Sequence, residues 1–167
     1  TSAGAGAPPA FEDATAAAPS GKKNLIFNGA MMISQRGYEE TGVTSAKYGE
    51  WPDRFKFINS GLGTFTIEQK VDSPDGFRMS LKASCTTAYG SASAGDYSYF
   101  SQKIESQDTK HLAYGTSGAK TITLSFWVKC SQTGTLQAGI VHYAGAGNRH
   151  IGGTYTINAA KIGRAHV

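Results

Sequence analysis

The chain has 167 residues, of which 40% are hydrophobic and 11% aromatic. This length and apolar content suit one folded domain and exclude a chain that is disordered throughout. The 16 basic and 12 acidic side chains leave a net charge of +4. The basic residues are spread singly along the chain and form no run with interleaved aromatic residues, so a nucleic-acid partner is not expected.

The two ends of the chain differ in composition from its middle. Thr1–Lys23 is rich in Ala, Gly, Pro and Ser, and such a segment buries too little apolar surface to offset its ordering entropy. We therefore predict a flexible linker over residues 1–23. The C-terminal letters IGRAHV match a translation of the opening bases of a common sequencing adapter. This match predicts a non-native tail at 161–167 and a truncated binding module over 24–160.

The first part of the module predicts short strands separated by turns. Asn28-Gly29 is a turn signal, and it predicts strands at Asn24–Asn28 and Met31–Ser34. Pro52 disfavours helix before it, and a strand is predicted at Arg54–Ile58. Trp51 is expected to fill one end of the fold, and Asp53 and Arg54 are expected to form a local ion pair.

The middle of the module shows the alternation of half-buried strands. Thr64–Lys70 alternates, and Pro74-Asp75-Gly76 is a turn signal. Gly76–Cys85 follows, with four residues expected to point inward: Phe77, Met79, Leu81 and Ala83. Tyr97–Ile104 is predicted as a further strand with Phe100 pointing inward.

The last part begins with a predicted helical turn at Asp108–Tyr114, with Asp108 as its N-cap. Thr121–Cys130 has the clearest alternation, and Thr135–Tyr143 is predicted to be its hairpin partner. Gly152–Asn158 is the last predicted strand. Many short strands without a βαβ rhythm favour an all-β antiparallel sandwich of jelly-roll type.

The two cysteines, Cys85 and Cys130, have no metal-binding spacing. Both lie in phase with apolar residues and are expected to be small buried thiols, although a disulfide between them is an open alternative. No signal peptide and no apolar run long enough to span a bilayer is present in the sequence. Membrane insertion is therefore not expected.

Aromatic residues that point away from the core are candidate ligand-binding residues, because flat aromatic faces pack against the C–H surfaces of sugars. The alternation of Thr121–Cys130 places Trp127 outward. If Trp127 lies opposite Gln137, then Gln137 and Tyr143 share its face. Tyr97 and Tyr99 also alternate outward and extend this platform, or they form a cross-strand aromatic pair without a binding role. Trp127 alternatively packs under a loop or against a neighbouring subunit.

No catalytic constellation is recognisable, so the chain is not expected to be an enzyme. Asp108 and His111 have the spacing of a base and its orienting residue, but no nucleophile motif accompanies them. His142 and His150 would be metal ligands only if a loop brought them together. None of the twelve acidic residues stands out as one of the paired carboxylates that glycoside hydrolysis needs. No cofactor is expected.

Several segments together resemble a module of phage virion proteins that is similar to the carbohydrate-binding jelly rolls appended to cellulases. The resemblance rests on NLIFNGAMMISQRG, WPDRFKF, QKIESQDTKHLAYGTSGAKTITLSFWVK and GGTYTINAA. It implies a non-catalytic module of a tail fibre or virion surface that binds host-surface glycan. Met31 and Met32 stand where the cellulase-appended modules usually have an aromatic and an acidic residue, so a structural calcium ion has no support.

Two alternatives to this function remain open. A purely architectural module would self-associate through the Trp127 face, as a trimer in a phage fibre. A carbohydrate-binding module of a cellular enzyme would instead have a hydrolase domain upstream. The leading hypothesis places the protein in the virion, with a glycan as its partner.

Overall fold

The structure, a computed structural model, describes residues 24–49, 51–144, 147–159 and 162–166. Strands make up 43% of the chain and there is almost no helix. Nine strands are present in the described residues: β1 Glu39–Val43, β2 Lys56–Ser60, β3 Thr64–Lys70, β4 Ser80–Thr87, β5 Tyr97–Ser101, β6 Ser125–Lys129, β7 Gly134–Ala144, β8 Gly147–Ile157 and β9 Ile162–His166. The prediction of an all-β chain is thereby confirmed at the level of strand content.

The strands form small antiparallel sheets. One has three strands in the order β1-β3-β4, and the others are the pairs β2-β5, β6-β9 and β7-β8. In two of these pairs, the chain between the paired strands contains a hairpin. The β3-β4 hairpin lies between β2 and β5, and the β7-β8 hairpin lies between β6 and β9.

The main core lies where the three-stranded sheet meets the β2-β5 pair. Phe57 of β2 is buried, and its ring centroid lies 5.2 Å from that of Phe65 on β3 and 5.1 Å from that of Phe100 on β5. Val43, Trp51 and Ile67 complete the buried cluster. Because Phe57 contacts both sheets, it holds the inner face of β5 against the core and turns the alternate residues of β5 outward.

Trp51 is fully buried and belongs to this core, which agrees with its expected role as a filling residue. Its indole N–H donates to the Phe55 carbonyl at 3.2 Å. The adjacent Asp53 and Arg54 do not form the expected ion pair. Arg54 pairs with Glu105 at 3.0 Å, and the Asp53 carboxylate accepts from the backbone N–H of Gln35 at 3.2 Å. The prediction was wrong because it considered only sequence neighbours, whereas Glu105 reaches Arg54 from a distant segment.

The two strands predicted at Asn24–Asn28 and Met31–Ser34 are absent; these residues form turns and irregular backbone. Side-chain amides there satisfy the backbone groups that a strand ladder would pair. Asn28 donates to the carbonyls of Ile33 and Asp53 and accepts from the N–H of Ile33. Asn28 itself has a left-handed φ of 53°, which asparagine tolerates better than most residues.

Other predicted boundaries are corrected by the structure. Strand β4 begins at Ser80, because Phe77 still belongs to the preceding turn, where its N–H donates to the Pro74 carbonyl at 3.0 Å. Phe77 is therefore exposed, and Ala83 is exposed as well. Strand β5 ends at Ser101 opposite Lys56, where its partner begins. The helix runs over Ser106–Thr109 with Glu105 rather than Asp108 at the N-cap position, and a 3-10 turn follows at Lys110–Leu112.

The pairing predicted for Thr121–Cys130 was wrong. Within this segment only Ser125–Lys129, β6, forms a strand, and β6 pairs with β9. Trp127 therefore lies opposite Arg164, a residue of the segment that was expected to be a non-native tail. Strand β7 pairs instead with β8 along its whole length, and Gln137 lies opposite Thr154. The long β7-β8 ladder provides many more backbone hydrogen bonds than a short β6-β7 hairpin, which explains the choice of partner.

Both cysteines are free thiols, with Cys85 exposed and Cys130 half-buried, so the expectation of two buried thiols was wrong. Cys85 lies on β4, an edge strand of its sheet, beside an irregularity in the ladder at Thr64 and Phe65. In the described part of the chain, no helix is both long and apolar enough for a membrane crossing.

Candidate functional site

Tyr97 and Tyr99 form an aromatic pair on the outer face of β5. Strand β5 pairs with β2 so that Tyr97 lies opposite Ser60 and Tyr99 opposite Ile58. The intervening Ser98 and the following Phe100 face the core side. The two tyrosine ring centroids are 5.7 Å apart with an interplanar angle of 32°. Tyr97 exposes 49% and Tyr99 46% of its surface, so a ligand in solvent can reach both side chains.

Tyr143 of β7 comes close to this pair. Partial burial raises the pKa of the Tyr99 hydroxyl, and the neighbouring hydroxyls of Tyr143 and then Tyr97 raise it further. This electrostatic effect places Tyr143 in the neighbourhood of Tyr99, although no ring contact joins Tyr143 to Tyr97 or Tyr99 among the described residues. Tyr143 is 71% exposed. Two of the five residues predicted to bind ligand are therefore in contact and a third lies in their neighbourhood, and we call Tyr97, Tyr99 and Tyr143 the tyrosine surface.

Lys56 on the outer face of β2, and Tyr48 beside that strand, were not predicted to belong to the site. Lys56 lies opposite Ser101, one same-face position away from Tyr99. Its ammonium nitrogen lies 5.2 Å from the centroid of the Tyr48 ring, a cation–π arrangement. The only available signal in the sequence was the alternation of KFINS, which places Lys56 and Ile58 on one face. The position of Tyr48 beside β2 depends on the non-local bridge between Lys47 and Phe57.

The β8 strand supplies polar side chains next to Tyr143. Asn148 lies directly opposite Tyr143 and shares its face, and His150 lies opposite Val141 on the same face. The His150 imidazole leans over Gly139, where an added Cβ would come within 2.9 Å of its Nε2 atom. The absence of a side chain at Gly139 therefore leaves room for the His150 ring.

Trp127 and Gln137 do not join the tyrosine surface in the described structure. Trp127 is 46% exposed, which agrees with its predicted outward direction, but no ring contact joins it to Tyr97, Tyr99 or Tyr143 among the described residues. Its same-face neighbour Lys129 pairs with Asp72 at 2.9 Å. Gln137 shares a face of β7 with Tyr143, but at about 3.3 Å per residue the two are about 20 Å apart.

The remaining candidates do not converge. In the described residues, no group of three or more His, Cys, Asp and Glu side chains is placed to hold a metal ion. His150 lies opposite Val141 and so shares the face of Val141. His142 is the next residue along β7 and points to the other face, so the two histidines lie on opposite faces of the hairpin.

An open depression of about 700 Å³ lies near the β1 strand and was not predicted. It is lined by Arg36, Glu39, Glu40, Thr41, Tyr48 and Gly49. Glu40 forms an ion pair with Lys47, so one of the two carboxylates that line the depression is already neutralised. Tyr48 belongs both to this depression and to the outer face that carries Lys56, and it therefore connects the depression to the tyrosine surface.

Comparison with known proteins adds no relative to this picture. No family model, curated protein or solved structure matches the sequence.

Proposed function

We propose that this chain is a non-catalytic module that binds carbohydrate on the tyrosine surface. The observation that carries the proposal is the pairing of Tyr97 and Tyr99, two exposed rings whose centroids are 5.7 Å apart. Neighbouring rings of this kind suit consecutive sugar units, since each ring packs against the C–H face of one sugar. Asn148, opposite Tyr143, is an exposed amide that can donate to and accept from sugar hydroxyls.

The proposal is tested by retention on a polysaccharide panel. We expect Tyr99→Ala to lose retention and Tyr99→Phe to keep most of it, because the ring face provides the contact. Tyr114→Ala is the matched control, since Tyr114 is similarly exposed but lies after the 3-10 turn. Unchanged retention by Tyr99→Ala together with loss by Trp127→Ala would move the platform to β6 and reject the tyrosine surface.

We further propose that the module belongs to a phage structural protein, a tail fibre or virion surface protein, with host-surface glycan as its target. The support is the resemblance of the NLIFNGAMMISQRG and TITLSFWVK segments to phage virion modules. Sequencing the source DNA on both sides of the coding region tests this proposal. Neighbouring virion genes would support it, and a hydrolase domain in the same reading frame would favour the cellular alternative.

A second candidate function is self-association as an architectural module, and the β7-β8 hairpin favours it. Within the described residues each of its strands is hydrogen-bonded only to the other, and such open edges pair readily with strands of another copy. Ile140 and Ile151 lie opposite each other, and Ile151 is 73% exposed. We expect Ile151→Glu to shift the sedimentation equilibrium toward monomer. Val71→Glu, in an exposed loop, is the control, and a monomeric wild-type chain would exclude this function.

A further inference from the structure

The strands that build the tyrosine surface and its surroundings contain no acidic residue. Strands β2 and β5 read KFINS and YSYFS, and strands β7 and β8 read GTLQAGIVHYA and GNRHIGGTYTI. They carry Lys56, Arg149 and two histidines. By contrast, Glu39, Glu40 and Glu68 all lie on β1 and β3. These four strands therefore carry a net positive charge, and the nearest carboxylates lie outside them, at Asp96 directly before β5 and at Glu39 and Glu40 beside Tyr48.

Lys56 differs from the other strand lysines in its partners. Lys70 and Lys82 both pair with Glu68, at 2.8 Å and 3.1 Å, and Lys129 pairs with Asp72. Lys56 forms no ion pair with any described residue, and its contact is the ring of Tyr48. Lys56 is half-buried as a residue, and an ammonium group that contacts an aromatic ring and no carboxylate can pair with an anion on its open side.

Lys56 lies on the same outer face as Tyr99, and its ammonium group lies on the Tyr48 side of β2, because Lys47 bridges to Phe57 on the edge of β2 away from β5. Lys56 is the diagonal same-face neighbour of Tyr99 across the β2-β5 ladder, and diagonal neighbours are about 7–8 Å apart. A sugar chain that runs from Tyr99 across β2 would therefore pass the Lys56 side chain. Arg149, which lies opposite His142, is on the other face of the β7-β8 hairpin from Tyr143 and is not part of this contact.

We propose that the carbohydrate bound on the tyrosine surface is anionic, a polysaccharide with carboxylate groups that Lys56 recognises. This inference rests on the proposed function and names its ligand class. Tyr97, Tyr99 and Tyr143 provide the stacking faces. Lys56 provides the charged contact, and the absence of acidic residues on the four strands removes the repulsion that an anionic chain would meet elsewhere on the molecule.

The test compares each acidic polysaccharide with its own carboxyl-reduced form, using polygalacturonate and hyaluronate. Affinity electrophoresis of the whole chain measures retention by each polymer. We expect stronger retention by both acidic polymers, and we expect Lys56→Met to reduce that retention about three- to fivefold, the effect of one exposed charge pair. Methionine keeps an apolar stem against Tyr48. Lys120→Met, which removes the same charge from an exposed loop, should retain like the wild type.

Each outcome has a distinct meaning. Equal retention by the acidic and reduced polymers would overturn the anionic inference and leave the proposed carbohydrate binding standing. Retention by neither form, of these or of a wider polysaccharide panel, would overturn both. Equal retention of the acidic polymers by Tyr99→Ala and the wild type would show ion exchange driven by the net charge of the chain, and this would also overturn the inference.

Discussion

The side-chain amide of Gln102 exchanges two hydrogen bonds with the backbone of Phe27. Its Oε1 atom accepts from the Phe27 N–H at 2.7 Å, and its Nε2 atom donates to the Phe27 carbonyl at 2.8 Å. One side chain thus replaces a strand partner for a segment that forms no strand. Gln69 supports the same segment by donating to the Met31 carbonyl, so side-chain amides fasten the N-terminal part of the module to the sheets.

Gln102→Ala should destabilise the fold by about 1–3 kcal/mol, because it removes two partly buried hydrogen bonds to the Phe27 backbone. Urea unfolding followed by tryptophan fluorescence measures this change. Gln107→Ala, in the exposed first helix, is the matched control and should unfold like the wild type. Equal midpoints for the Gln102 and Gln107 variants would show that the Phe27 contact is not needed.

Gly49→Ala should be strongly destabilising, because a Cβ at this buried position would overlap the Trp51 ring and the Glu40 carboxylate. Overpacking of this kind typically costs about 1–3 kcal/mol. The thermal midpoint of Gly49→Ala should therefore fall below that of Gly90→Ala, where an added Cβ meets nothing within 4 Å. An unchanged midpoint for Gly49→Ala would contradict the close packing of Trp51 against this glycine.

Glu68 should make the stability of the fold depend on acidity. Hydrogen bonding to Lys70, with a further contribution from Lys82, lowers the pKa of this carboxyl below 4.5, in spite of the opposing effect of burial. A lowered folded-state pKa contributes stability that is present above pH 4.5 and lost as the pH falls through the folded value. Glu68→Gln should therefore be less stable than the wild type at pH 7, by about 1 kcal/mol, and the gap should close in acid. Asp75→Asn, in an exposed turn, should match the wild type at pH 7, and a pH-independent gap for Glu68→Gln would refute the argument.

Tyr99 should titrate at higher pH than a free tyrosine, because its pKa is raised above 10.0 by burial and by Tyr143 and Tyr97. The protonated form is favoured in the folded state, so stability should be full below pH 10 and should decline as the pH rises through the folded pKa. Tyr143→Phe should shift the Tyr99 titration downward, measured by ring-carbon NMR shifts. Tyr114→Phe should leave it in place. No shift in Tyr143→Phe would separate Tyr143 from the tyrosine surface.

The sequence predicted best where structure is decided locally. Strand β3 has the predicted bounds because the alternation of Thr64–Lys70 is unbroken, and the outward direction of Tyr97, Tyr99 and Trp127 follows from the same period. Phe77 was misplaced because the backbone after the Pro-Asp-Gly turn becomes a strand only at Ser80. Alternation gives the face of a residue, but it gives no information on the neighbouring strand.

The arrangement of the site depended on that missing information. Trp127 was expected opposite Gln137, yet β6 pairs with β9 and β7 with β8. The position of Tyr143 near Tyr99 depends on packing between segments far apart in sequence, and the contact of Lys56 with Tyr48 depends on the bridge between Lys47 and Phe57. The choice of strand partner depends on the summed free energy of backbone pairing and core packing over the whole fold. The turn signal at Ser131–Gly134 is therefore a weak guide to whether β6 pairs with β7.

The nesting of the β3-β4 hairpin within β2-β5, and of β7-β8 within β6-β9, has a consequence for folding kinetics. Hairpins close small loops and form within about 1–10 μs, whereas the enclosing pairs must close larger loops and are expected to form later. The tyrosine surface combines β5, from one enclosing pair, with β7, from the hairpin of the other. The tyrosine surface is therefore expected to form in the last stage of folding. When refolding is followed over time, ligand retention should return only with the slowest phase.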